Sequence, residues 1–142
     1  MPTFRLPIFL FFFVLAGLTL GSCQKKDDAK PQQVTSPQLT TGSWRLDQIV
    51  QNGQVASSGT GIKDQYSLTF RTDNTYTQKV LADNSTYNGN WLLLNNNTTL
   101  RLTDQKGDLT NYTLAALTAT ELRYSFTNRA GQLEERVFSA QP

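Results

Sequence analysis

Few side chains in this sequence can carry covalent or acid–base chemistry. Its 142 residues include no His and a single Cys, at position 23. Without imidazole the chain lacks the usual general base and the commonest metal ligand, and one thiol can form neither an internal disulfide nor a thiolate cluster. Five carboxylates remain as acid–base candidates: Asp47, Asp64, Glu121, Glu134 and Glu135. A glycosidase needs only two acids facing a cleft, but these fall mostly on wet strand faces or in turns, and no spacing brings a chosen pair together. The expectation is that the protein is not an enzyme. Asp104 and Asp108 flank Gln105-Lys106-Gly107 without the alternating oxygen ligands of a calcium loop, so they read as a solvated hairpin tip. Neither a metal nor a cofactor is expected. With 13 basic and 11 acidic residues the net charge is +2, which implies no stripe for nucleic acid.

Aromatic residues are the more promising chemistry. Beyond the amino-terminal segment lie Trp44, Tyr66, Phe70, Tyr76, Tyr87, Trp91, Tyr112, Tyr124, Phe126 and Phe138. They sit in short runs of period two. Tyr66, Leu68 and Phe70 alternate with Gln65, Ser67, Thr69 and Arg71, and Leu122, Tyr124 and Phe126 alternate with Glu121, Arg123, Ser125 and Thr127. Such runs are half-buried strands with one dry and one wet face. Less regular runs cover Trp44 to Gln51, Tyr76 to Leu81, Thr86 to Leu94, Thr98 to Thr103, Asn111 to Leu117 and Leu133 to Ser139, which makes eight strands. Turn-forming clusters separate most of them, among them Thr72-Asp73-Asn74, Ala82-Asp83-Asn84, Asn95-Asn96-Asn97 and Asn128-Arg129-Ala130-Gly131. Antiparallel hairpins follow, because no helical segment is long enough for a parallel crossover. The connection from Asn52 to Asp64, with Gly53, Gly59 and Gly61, is expected to be a mobile mouth or lid loop.

The amino terminus has its own logic. One basic residue precedes an apolar run from Leu6 to Leu20, which as a helix would span roughly 22 Å, short of the ~30 Å hydrocarbon core. It reads as a secretory signal over residues 1–22 rather than a membrane span. Leu20-Gly21-Ser22-Cys23 resembles the lipobox of bacterial lipoproteins, an aliphatic residue and two small ones before Cys. The resemblance implies lipidation at Cys23 after cleavage before it, so that the membrane is a partner through acyl chains. Gln24-Lys25-Lys26-Asp27-Asp28 resembles an export tag that carries lipoproteins of some Gram-negative bacteria to the outer face of the outer membrane. A solvated charge run, with attachment facing the periplasm, is the alternative. Residues 23–40, with Pro31, Pro37 and no aromatic, are expected to be a flexible tether of about 23 Å root-mean-square span.

Gly42-Ser43-Trp44 opening the first strand is similar to the Gly-x-Trp signature of lipocalins. Gly89-Asn90-Trp91 and Thr99-Leu100-Arg101-Leu102-Thr103 are similar to lipocalin-like domains of bacterial surface lipoproteins. The resemblance implies that residues 41–142 form an all-β domain, a small eight-stranded antiparallel up-and-down barrel, with Trp44 as the plug of its closed end. Two functions are open. In one, Tyr66, Phe70, Tyr76, Tyr87, Trp91, Tyr112, Tyr124 and Phe126 grip a small hydrophobic or amphipathic ligand near the open end. In the other, these rings pack as core, and a filled barrel serves as an interaction module for an envelope protein or glycan.

Overall fold

A computed structural model describes residues 36–142. The expected signal peptide, Cys23 and the charged run after it lie outside the described residues. One helical turn, α1 (Ser36–Leu39), precedes nine strands: β1 (Ser43–Gln51), β2 (Gln54–Ser58), β3 (Tyr66–Phe70), β4 (Thr75–Val80), β5 (Thr86–Leu94), β6 (Thr99–Asp104), β7 (Leu109–Leu117), β8 (Glu121–Thr127) and β9 (Leu133–Gln141). From β3 to β9 each strand pairs antiparallel with the next. β9 then returns to β1, pairing from Ser43 opposite Gln141 to Gln51 opposite Glu134 with a one-residue register shift between Leu46 and Gln48, and closes the sheet. The architecture is an all-β closed barrel of eight antiparallel strands, β1 and β3 to β9, with β2 as one extra strand.

β2 is where the structure departs from the sequence reading. The segment from Asn52 to Asp64 is not one long mouth or lid loop, because most of it is ordered as a strand and a 3-10 turn. Asn52 and Gly53 adopt φ of 49° and 81°, the left-handed pair of a two-residue hairpin turn, and β2 folds back on β1 with Gln51 opposite Gln54. A single 3-10 turn (Gly59–Gly61) follows, and Ile62 is buried against the core. β1 therefore serves two partners on one edge, β3 along Ser43 to Arg45 and β2 along Gln48 to Gln51. The expected turns elsewhere are built from Asx geometry: Asp73 accepts from the backbone and hydroxyl of Thr75, Asp83 does the same for Ser85, and Asn128 holds the amides of Ala130 and Gln132. Asp104 accepts from the amides of Lys106 and Asp108, so its carboxylate is spent on its own hairpin.

The barrel has two unlike ends. At one, the chain enters through α1, and the starts of β1 and β8 meet the carboxy-terminal part of β9. Leu39 is fully buried there, ahead of the expected boundary at Thr41, and its carbonyl accepts a 3.0 Å hydrogen bond from Trp44 Nε1. Trp44 itself is only 1% exposed. Gly42 lets the chain pass so close to β9 that a Cβ would stand 2.9 Å from the Gln141 carbonyl oxygen. Trp91 Nε1 donates to the Arg71 carbonyl at 3.0 Å, and its ring meets Phe70 edge-on at 5.9 Å. Leu46, Leu68, Leu100, Leu117 and Leu122 fill the space between these rings. This is the closed end.

Trp44 is the largest fully buried side chain and carries a buried donor. Trp44→Ala should lower the unfolding free energy by about 3–5 kcal/mol in urea denaturation. A loss below about 0.5 kcal/mol would mean that the closed end does not depend on this ring.

Candidate functional site

The opposite end is open. It is framed by the β1–β2, β4–β5, β6–β7 and β8–β9 turns, and the inward positions near it are set by strand register. Leu122 faces Phe138 across β8 and β9, which fixes both as inward; two residues further along the pair is Tyr124 and Arg136, and two further Phe126 and Glu134. Arg136 and Glu134 therefore project into the barrel above its packed apolar core. On the far wall the corresponding positions are Tyr76 and Gln78 of β4, Tyr87 and Gly89 of β5 and Asp104 of β6. Gly89 stands opposite Tyr76, whose ring occupies the place of a side chain: a Cβ there would lie 2.6 Å from Tyr76 Cε1 and would collide with the Thr103 carbonyl oxygen.

At the floor of this end is a polar cluster. Arg136 Nη1 donates to the Tyr66 hydroxyl at 2.7 Å, the Tyr66 and Tyr124 hydroxyls share a 3.1 Å hydrogen bond, and Arg136 Nε donates to Glu134 at 3.0 Å. The other Glu134 oxygen meets the side-chain amides of Gln51 and Asn128, each at 3.5 Å. Glu134 is the one buried charged residue among those described. The guanidinium lies over the Phe126 ring at 5.0 Å and the Tyr66 ring at 5.7 Å. Burial alone would pull the Arg136 pKa down, but the oxygens of Tyr66, Tyr124 and Glu134 outweigh it and hold the group above its usual value. Burial drives the Tyr124 phenol well above its ordinary range, and burial likewise raises Tyr112 and Tyr76. The cluster thus offers hydroxyl groups and a fixed cation.

Two hollows open over this floor. One, of about 590 Å³, is lined by Thr110, Phe126 and the turn after β8, with Arg129, Glu134 and Arg136. The second, of about 280 Å³, lies on the facing wall between Tyr76, Gln78, Tyr87, Asp104 and Lys106. Around them the rim is apolar where it meets solvent, at Val55, Leu81, Tyr87, Leu109 and Leu133.

The eight aromatic residues singled out from the sequence do not occupy one place. Phe70 and Trp91 belong to the closed-end core. Tyr66 and Tyr124 are buried beside Phe138, at ring separations of 5.8 and 5.2 Å, and contribute their hydroxyls to the floor. Tyr112 packs on Tyr124 at 4.4 Å and on Phe126 at 5.3 Å, forming part of a wall. Tyr76 and Tyr87 line the smaller hollow, Tyr87 being 49% exposed at the rim. Arg136, Gln51, Asn128 and Thr110 were missed. A signal existed for Arg136: it shares the parity of Phe138, so an inward Phe138 makes it inward as well. Among the carboxylates weighed as acids, Asp47 pairs with Arg45, Glu121 and Glu135 flank Arg123, and Glu134 pairs with Arg136. Asp64 sits in a left-handed turn at φ 56°. No three His, Cys, Asp or Glu groups converge as a metal site among the described residues.

One family of known proteins matches most of the described chain. Residues 40–124 match the family model described as a lipocalin-like domain. No curated protein matches. Among solved structures, a redesigned β-barrel is similar at 16% identity and a TM-score of 0.43, covering 73% of this chain and 93% of its own. The family match spans more than half of the sequence, and the chain belongs to the lipocalin-like domain family.

The Tyr66 hydroxyl is the joint between Arg136 and Tyr124. Tyr66→Phe should cost about 1–3 kcal/mol of stability in urea or thermal unfolding, because it strips a charge-assisted hydrogen bond from a half-buried guanidinium. An unchanged unfolding midpoint would show that the cluster makes no net contribution.

Proposed function

We propose that this lipocalin-like barrel is a non-enzymatic carrier or sensor that takes a small hydrophobic or amphipathic molecule at its open end. The observation that carries the reading is the coincidence there of hollow, aromatic wall and oriented donors, where the top of the packed core turns polar. A ligand's apolar body would lie against Phe126, Tyr112 and Tyr87, while the hydroxyl and guanidinium groups fix its polar end. Of the ring set, Tyr76, Tyr87, Tyr112 and Phe126 are assigned to contact, Tyr66 and Tyr124 to orientation, and Phe70, Trp91 and Trp44 to the scaffold.

We further propose that the protein is a lipoprotein held at the outer membrane through Cys23. Supporting this are the Leu20-Gly21-Ser22-Cys23 sequence and the direction in which the chain joins the barrel: α1 packs at the closed end, so a tether from Cys23 arrives there and leaves the mouth at the far end, open to solvent. A second reading draws on the exposed rim. Val55, Leu81, Leu109 and Leu133 would suit the barrel as a docking module for an envelope protein or glycan.

Nile red, a neutral apolar dye, separates the two. It should bind saturably at one site with a blue-shifted emission, and Thr110→Trp, which fills the larger hollow from an exposed position, should abolish binding without moving the unfolding midpoint. Absence of saturable binding to the wild type would leave the docking module. For the anchor, Cys23→Ser should transfer the protein from the detergent phase to the aqueous phase on Triton X-114 partition of cells making it. Retention in the detergent phase would overturn lipidation at Cys23.

A further inference from the structure

The donor count at the floor of the mouth specifies the ligand more narrowly. We infer that the hollow beside Arg136 is a subsite for a carboxylate, and that the preferred ligand is an amphipathic organic acid whose head lies on the free edge of the Arg136 guanidinium; this rests on the mouth being the ligand site. An Arg side chain carries five N–H donors. Nε is spent on Glu134 and one Nη1 hydrogen on Tyr66, and the remaining three have no partner among the described residues. The paired hydroxyls of Tyr66 and Tyr124 share one hydrogen bond, so one of their two protons is also left over. A surplus of donors with no matching acceptors calls for an acceptor-rich head.

Charge points the same way. The hollow is lined by two cations, Arg129 and Arg136, and one anion, Glu134. Arg129 forms no ion pair among the described residues, whereas Glu134 is tied to Arg136 through Nε and to Gln51 and Asn128 through its other oxygen. The local balance is therefore positive by one, and Glu134 does not cover the Nη1 and Nη2 edge. That edge presents parallel N–H groups in the geometry that a planar carboxylate accepts two at a time. Phe126 and Tyr66 flank the guanidinium, which limits the water competing for it. Asp104 and Lys106, both on the β6–β7 hairpin, line the smaller hollow and leave that wall without a net charge, suited to the ligand's body rather than its head.

Isothermal titration calorimetry of the full chain with octanoate and with octan-1-ol reads this directly, since the pair shares a body and differs in the head. Octanoate should bind at least about tenfold more tightly than the alcohol. The double variant Arg136→Gln with Glu134→Gln, which removes both members of the ion pair and so strands no charge, should abolish that preference while retaining alcohol binding. Arg129→Gln should reduce the preference without abolishing it. Equal affinity for the two ligands, or a preference that survives the double variant, would overturn the carboxylate subsite and leave the mouth as an apolar site. Binding of neither ligand would overturn the subsite together with the reading of the mouth on which it rests.

Discussion

A closed sheet of eight strands leaves an interior barely wider than the side chains it receives, and that constraint governs everything else in this protein. Every large ring placed inside subtracts from what another molecule could occupy. The sequence spends Trp44, Phe70, Trp91 and five buried leucines at one end and seals it with Leu39 from α1. At the other end Arg136, Glu134, Gln78 and Asp104 join aromatic residues at the inward positions and Gly89 has no side chain, so the space above them stays open. The two ends differ because strand register, fixed by the β1 and β9 pairing that closes the barrel, carries each inward residue to a set height.

The polar floor is the costly part of this arrangement. Burying a guanidinium is unfavourable unless it is paired and hydrogen-bonded. Here Glu134, Tyr66 and two aromatic faces meet that requirement, but only along part of the group. A purely structural ion pair would more economically be replaced by apolar residues of similar size. Keeping it at the junction between packed core and open hollow gives the barrel a fixed, oriented cation where a solute can reach it. The aromatic contacts around it, at centroid separations of 4.4 to 5.8 Å, hold its neighbours in place and add about 0.5–1.5 kcal/mol each.

Much of the fold was legible because strands with one dry face print that face into the sequence. Tyr66, Leu68 and Phe70 alternate as they do because alternate residues are buried, and β3, β8 and the turns around them follow from it. β2 was not legible by the same test: Gln54-Val55-Ala56-Ser57-Ser58 is solvent-facing at nearly every position, so no alternation marks it. Its evidence was local instead, in Asn52-Gly53, a pair well suited to the two-residue turn found there. The site was legible only in part. Period two identifies which rings point inward, but whether they touch one another or enclose a space depends on register between strands far apart in sequence. Arg136 lay hidden for a related reason, since a charged residue on an inward position reads as a wet-face residue until Phe138 fixes the parity of β9.

A packed closed end and a hollow mouth mean that, under the proposed function, a ligand should touch only the open end. Solution NMR of the isotopically labelled chain titrated with an amphipathic ligand tests it most directly. Amide shift changes should be confined to the mouth, in residues 110–112, 126–136 and the β4–β5 and β6–β7 turns, with Trp44 and Trp91 indole signals unmoved. Shifts centred on those indoles, or spread over the outer wall of the barrel, would contradict it.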